Sequence, residues 1–295
     1  MSAADEEGAG RAKVPGRVGV IGGGRMGAGI AHAFVLAGAE VVVVERDAEA
    51  ADAASVRVLD TVRRSVERGS TDQGFDALAT AVETVTDAAA LAGCGLVVEA
   101  VPEVRELKAQ ALARAERALA ADAALATNTS SISIDDLASG LARPGRFLGL
   151  HFFNPVPASQ LVEVVTGTAT ERALVDEARD WVEALGKTPI VVRDSPGFAS
   201  SRLGVALGLE AIRMLEEGVA SAADIDAAME LGYRHPVGPL RTTDLVGLDV
   251  RLGIAEELHA ELGDRFAPPP LLRRLVDEGH LGRKSGRGFY EWSGQ

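Results

Sequence analysis

The chain has 295 residues, 47% hydrophobic and 25% charged, with a formal net charge of −13 at neutral pH. That balance describes a globular protein long enough for two domains and excludes a disordered chain. The excess of acid works against nucleic acid as a partner. No apolar run approaches the ~20 residues that span a bilayer, and the single cysteine, Cys94, rules out an internal disulfide and a cysteine-built zinc site, so no metal is expected.

Residues 1–15 are rich in Ala, Gly and acid, include Asp5-Glu6-Glu7, and lack the apolar core of a secretory signal. They read as a mobile tail, and with the lone cysteine they point to a cytoplasmic protein. Residues 17–22 form a buried strand running into a glycine turn, and residues 26–36 carry apolar side chains at helical spacing. Residues 40–45 are a second buried strand. A long helix over 48–69 and a short helical piece follow, more than a crossover needs, which suggests an antiparallel helical pair projecting from the sheet. Further strands fit 82–85, 96–101, 124–128, 147–153, 161–166 and 189–192, with helices over 107–120 and 172–185. Alternation of this kind predicts βαβ units in a parallel sheet covered on both faces. After Asp194-Ser195-Pro196-Gly197 the strand signal stops, and helices are expected over 198–217, 221–231, 247–262 and 270–278. The Pro-Gly pair marks the domain boundary, giving 16–195 and 196–295. Ser221 is suited to cap the helix that follows it.

The turn Gly22-Gly23-Gly24-Arg25-Met26-Gly27 matches the spacing G-x-G-x-x-G between a strand and a helix. There the first glycine makes a tight turn, the second admits a pyrophosphate, and the third lets helix pack on strand, leaving the helix N-terminus aimed at the anion. Glu45 stands at the end of the next strand, 18 residues beyond Gly27, where an acid hydrogen-bonds the adenosine ribose. Its charge would repel a 2′-phosphate, which favours NAD over NADP, although Arg46 beside it could pair with that phosphate. A dinucleotide-binding, Rossmann-like N-terminal domain is the reading these residues support.

Hydride transfer from an alcohol also needs a base for the hydroxyl proton. His32 and His259 fall within helices, and His235 and His280 near turns. His151 instead ends a strand, at the edge where open α/β sheets keep their sites. Twelve residues on, Glu163 lies among Leu161, Val162, Val164 and Val165, where a buried carboxylate needs a partner. His151 alone could be a structural histidine, and Glu163 alone an edge-strand acid; neither account covers both.

With these residues in view, the chain from Arg17 nearly to Trp292 resembles the L-3-hydroxyacyl-CoA dehydrogenase family. The resemblance is carried by the glycine turn continued through Ala28-Gly29-Ile30-Ala31, by Val98-Glu99-Ala100, and by Thr127-Asn128-Thr129-Ser130-Ser131. It extends through His151-Phe152-Phe153-Asn154-Pro155-Val156-Pro157, Leu161-Val162-Glu163-Val164-Val165, Asp194-Ser195-Pro196-Gly197-Phe198 and Gly286-Arg287-Gly288-Phe289-Tyr290. It implies an α/β Rossmann-like domain with a helical hairpin insertion, then an all-α C-terminal domain that closes the substrate cleft and builds a homodimer. The activity implied is NAD-dependent, reversible oxidation of a short-chain (3S)-3-hydroxyacyl-CoA, such as 3-hydroxybutyryl-CoA, to the 3-oxoacyl-CoA.

By the same resemblance His151 is the general base and Glu163 orients it. Ser130 and Asn154 hold the substrate hydroxyl and thioester carbonyl, and Arg25, Met26, Ala100, Glu103, Lys108 and Asn128 line the cofactor. Glu103 and Lys108 also read as ordinary surface charges of a helix first turn, and Ser130 as a turn cap, since Thr129, Ser131 and Ser133 share its chemistry. The helical extension would contact the CoA tail through Arg63, Arg64 or Arg68, unless these are simply a solvated basic face. Ser201 departs from the family, which carries Asn in that place; a hydroxyl offers one donor proton where an amide offers two and a carbonyl. Ser201 is therefore expected to bind substrate differently, with activity retained. The alternatives are a dehydrogenase of a free hydroxy or sugar acid, like gulonate dehydrogenases and lens crystallins of similar sequence, or a non-catalytic NAD-binding protein. Enzymes like 3-hydroxyisobutyrate dehydrogenase share the glycine turn but use a catalytic Lys.

Overall fold

The computed structural model describes residues 13–292, so most of the expected tail lies outside the described residues. The chain divides into two compact units, the first ending at Asp194 and the second beginning at Ser195. Among the described residues the first unit carries an eight-stranded sheet in the order β3-β2-β1-β4-β5-β6-β7-β8. Its strands are β1 (Arg17–Ile21), β2 (Glu40–Val44), β3 (Val82–Val85), β4 (Leu96–Glu99), β5 (Ala124–Thr127), β6 (Phe147–Phe152), β7 (Leu161–Thr166) and β8 (Thr188–Arg193). The helices between them are α1 (Arg25–Leu36), α2 (Ala48–Glu67), α3 (Phe75–Thr80), α4 (Arg105–Ala118), α5 (Ile134–Ala138) and α6 (Arg172–Ala184). The four consecutive valines of β2, Val41 to Val44, are all buried, as a parallel strand covered on both faces requires.

The sheet departs from the all-parallel expectation at one place. β1 through β6 run parallel, but β7 pairs antiparallel with β6, and β8 runs parallel to β7. Only residues 153–160 join β6 to β7. A parallel crossover takes a dozen or more residues, so the chain has to turn straight back.

The helical pair after β2 is unequal, 20 residues in α2 and 6 in α3, and it does not stand clear of the sheet. The stripe Ala54, Val58 and Val62 of α2 joins the core shared by β1, β2 and α1. Ser65 of α2 is pinned to His32 of α1, Oγ to Nε2, at 2.8 Å.

The second unit is helical: α7 (Ser200–Glu216), α8 (Ala222–Tyr233), α9 (Pro239–Val246), α10 (Leu248–Leu262) and α11 (Pro270–Asp277) pack around Val205, Leu209, Ile212, Leu240, Leu248 and Leu258. Ser221 caps α8 by accepting from the Asp224 amide. α9 was not foreseen: eight residues opening on Pro239 are too short to display a helical period. Asp244 gathers the chain's last described segment, accepting from the amides of Phe289 and Tyr290 and from Trp292 Nε1. Among the described residues no helix is long and apolar enough to cross a membrane.

Candidate active site

The six parallel strands β1 to β6 end along one edge of the sheet, and the tips of β1, β2, β4, β5 and β6 carry most of the residues singled out above. Past β1, Gly22 adopts φ +90°, and a Cβ there would stand 2.9 Å from the Ala100 carbonyl oxygen beyond β4. A Cβ on Gly27 would lie 1.7 Å from the Gly22 oxygen, so only glycine lets α1 start so close to β1. Gly24 differs, since its Cβ would meet nothing within 4 Å. The first turn of α1 has no side-chain cap and no acidic residue. Amides at a helix N-terminus, an open approach over Gly24 and no competing carboxylate fit a dinucleotide pyrophosphate. Arg25 and Met26 open α1 beside this approach. At the tip of β2, Glu45 Oε1 accepts from the Gly23 amide at 2.6 Å and Oε2 from the Arg46 amide at 3.1 Å, which places the carboxylate against the glycine turn. The Arg46 guanidinium, largely exposed, pairs with the neighbouring Asp47 at 2.9 Å.

Beyond β4 and β5 the structure corrects the reading of Lys108 as an ordinary surface charge. Its side chain is 1% exposed and no surface charge. Nζ reaches both oxygens of the fully buried Glu99 at 3.0 and 3.2 Å, the Val101 carbonyl at 3.1 Å and Glu103 at 3.2 Å. These contacts use all three ammonium protons, so Lys108 holds Glu99, the Val101 carbonyl and Glu103 together. Burial pushes the Glu99 carboxyl up, against the opposing pull of Lys108 and of Thr127, whose hydroxyl donates at 2.6 Å. Glu103 is more open. Burial raises it too, but Lys108 and donors from Thr129 and Ser130 outweigh that and leave it below the usual carboxylate range. Glu103 Oε1 accepts from the amides of Ser130 (2.8 Å) and Ser131 (3.2 Å) and from the Thr129 hydroxyl. It thereby fixes the loop that carries Ser130. Asn128, expected at the cofactor, spends its Oδ1 on the Phe152 amide at 2.8 Å, tying the tip of β5 to the tip of β6.

The expected pair forms at the β6–β7 rung. His151 and Glu163 are register partners across the antiparallel ladder, so their side chains emerge side by side on one face. Nδ1 and Glu163 Oε2 lie 2.7 Å apart, with side chains 6% and 0% exposed. A carboxylate only accepts, so the shared proton sits on Nδ1 and Nε2 is the basic nitrogen. The ring packs against Phe153 at 4.5 Å between centroids.

Asn154 lies just beyond, exposed, in the loop 153–160. A residue outside the sequence reading anchors that loop. Lys187, half-buried after α6, donates to the carbonyls of Val156 (2.6 Å) and Ser159 (2.5 Å), while Val156 packs where Gly29 leaves α1 bare. Nothing in the sequence flags Lys187, because its partners are backbone atoms some thirty residues away. Arg68 caps the C-terminus of α2 and is exposed, and Arg63 stacks on Phe75 at 4.7 Å. Ser201 lies in the first turn of α7, in the second unit.

The family model described as 3-hydroxyacyl-CoA dehydrogenase, NAD binding domain, matches residues 17–195, and the one described as 3-hydroxyacyl-CoA dehydrogenase, C-terminal domain, matches residues 197–292. A probable 3-hydroxybutyryl-CoA dehydrogenase of Deinococcus radiodurans is 41% identical over 277 residues, 94% of this chain and 100% of the relative. The 3-hydroxybutyryl-CoA dehydrogenase of Mycobacterium tuberculosis is 42% identical over 280 residues, 94% of this chain and 98% of the relative. The crystal structure of M. tuberculosis FadB2 superposes with a TM-score of 0.91 at 41% identity, covering 95% of this chain and 100% of that one. The chain therefore belongs to the 3-hydroxyacyl-CoA dehydrogenase family and is an NAD-dependent dehydrogenase.

Proposed function

We propose that the chain oxidises short-chain (3S)-3-hydroxyacyl-CoA thioesters, with 3-hydroxybutyryl-CoA the simplest, and that His151 is the group that moves the hydroxyl proton. The observation that carries this reading is the buried His151–Glu163 rung, 2.7 Å between Nδ1 and the carboxylate. The names of the relatives supply the substrate class.

When bound, NAD+ accepts the hydride from C3. The protein's share is positioning and proton transfer. In oxidation Nε2 of His151 takes the hydroxyl proton as C3 loses its hydride, and the imidazolium so formed is stabilised by Glu163 at Nδ1. In reduction the same nitrogen returns the proton. Ser130 and Asn154, on the loops that Glu103 and Lys187 hold, are assigned to the hydroxyl and the thioester carbonyl. Gly22, Gly24, Gly27, Arg25, Met26 and Ala100 are assigned to the dinucleotide, with Glu45 on the ribose. Asn128, Glu103 and Lys108 shape its wall. Ser201 is assigned to substrate and Arg68 to the CoA tail. A homodimer through the second unit is supported by the exposed Leu203, Leu231 and Tyr233, and a cytoplasmic location fits a chain whose single cysteine, Cys94, is buried.

His151→Gln tests the assignment. Turnover of acetoacetyl-CoA with NADH should fall by several orders of magnitude while NADH binding, read by fluorescence titration, stays near wild type. A variant keeping most of its rate removes His151 from the chemistry. Turnover of free hydroxy acids at rates matching the CoA thioesters would instead favour the free-acid alternative.

A further inference from the structure

The loop 153–160 joins the strands that carry His151 and Glu163 and presents Asn154, yet the β6–β7 ladder stops short of it. Its middle is a single turn, in which the amides of Ala158 and Ser159 both donate to the Pro155 carbonyl at 3.0 Å. An isolated turn is a weak structure, and its later carbonyls have no following amides to take them. Two contacts from outside the loop supply what the turn lacks.

The polar contact is Lys187. Gly186, at φ +71°, ends α6 with its amide on the Glu183 carbonyl, and the Lys187 amide returns to the Val182 carbonyl at 3.1 Å. The next amide, that of Thr188, donates to the Gln160 carbonyl at 2.6 Å, so the backbone of Lys187 is held on both sides. From there Nζ reaches the carbonyls of Val156 and Ser159, as a cation at the C-terminal end of a helical turn does. Among the described residues no carboxylate pairs with this ammonium, and burial holds its pKa below the ordinary lysine value. Its hydrogen bonds are spent on the loop. The apolar contact is Val156, 2% exposed, which is seated over Gly29 of α1. A Cβ on Gly29 would come within 2.8 Å of the Val156 Cβ, so any other residue there pushes the loop out of its seat.

We propose that Lys187 and Gly29 are positioning residues for the substrate: they mount the turn 155–159 from two sides so that Asn154 meets the thioester carbonyl. Neither touches substrate itself. This rests on the assignment of Asn154 to that carbonyl. The carbonyl is not where bonds change; the C3 hydroxyl belongs to His151, whose alignment comes from the ladder. A displaced Asn154 weakens the bound substrate and the transition state alike, which raises KM and leaves kcat near wild type.

The experiment is steady-state reduction of acetoacetyl-CoA by NADH with the full-length enzyme. Lys187→Met should raise KM by about tenfold or more, with kcat, its pH profile and NADH affinity close to wild type. Lys187→Arg, which can still donate to both carbonyls, should recover most of that loss. Gly29→Ala should raise KM from the opposite side of the loop. The deciding comparison places Lys187→Met in an Asn154→Ala background, where the double variant should be no worse than Asn154→Ala alone. Additive losses in that cycle would overturn the mount, as would an unchanged KM in Lys187→Met. A joint fall in kcat, NADH affinity and Tm would overturn it too, by assigning Lys187 to the fold as a whole. Should Lys187→Met not fold, Gly29→Ala carries the same cycle. A wild-type enzyme without turnover of acetoacetyl-CoA would overturn the dehydrogenase reading and this proposal with it, whereas turnover with additive losses overturns the mount alone.

Discussion

Glu163→Gln isolates the charge of the cross-strand pair from its shape. Glutamine is nearly isosteric, and its amide oxygen can still accept the Nδ1 proton across the 2.7 Å gap, so the rung itself should persist. What disappears is the negative charge facing the imidazolium as the hydroxyl proton arrives. With both side chains almost wholly buried, solvent screens little of it. Taking charge centres about 4 Å apart and an effective dielectric of about 20, the interaction is about 4 kcal/mol, or roughly a thousandfold in rate if it is fully developed in the transition state. The assay is steady-state reduction of acetoacetyl-CoA followed by NADH absorbance, with Tm and NADH affinity measured on the same preparation. The expected result is kcat lower by about three orders of magnitude, KM and NADH affinity close to wild type, and Tm not reduced. A loss under tenfold in a folded variant would refute the reasoning, since Glu163 would then serve the sheet and not the proton transfer.

Two further outcomes follow from buried charges elsewhere in the first unit. Lys108→Met leaves the fully buried Glu99 without its cation and should lower unfolding free energy by about 4 kcal/mol in urea titration; a Tm equal to wild type would contradict the assigned network. His32 has its pKa lowered to about 4, by burial first and by the charge of Lys187 second. The folded chain therefore resists protonation while the unfolded chain takes a proton near pH 6.5. Stability from the neutral ring is present above that pH and is lost as pH falls toward 4, by about 3 kcal/mol in all. His32→Gln should flatten the fall in Tm over that window, and an unchanged slope would show that other groups set it.

The parts of the site visible in the sequence are those written at fixed spacing. Gly22, Gly24 and Gly27 obey a local geometric rule, and Glu45 follows one strand later. His151 and Glu163 were legible because a carboxylate among four aliphatic residues needs a partner and a strand-ending histidine twelve residues back supplies one. Groups whose partners only the packing of separate elements reveals are not legible. Lys108 reads as one of many helix charges until Glu99 is seen beneath it, and Glu99 itself looks like the polar end of a strand. Nothing in the sequence shows that Asn128 also ties β5 to β6 through its oxygen on the Phe152 amide. Lys187 carries no pattern at all, because backbone carbonyls define its surroundings. The reversal of β7 was readable in principle from the short link 153–160, but the strong alternation upstream hid it.

The base and its orienting acid occupy one rung of an antiparallel ladder, so their alignment is inherited from backbone hydrogen bonds and not from loop conformation. The loop between them can change in length and sequence, and with it the shape offered to substrate, without moving the proton-transfer pair. The same arrangement is unforgiving within the strands. Deleting one residue ahead of Glu163 in β7 would turn its side chain to the opposite face, leaving a fully formed sheet and an imidazole with no acid beside it.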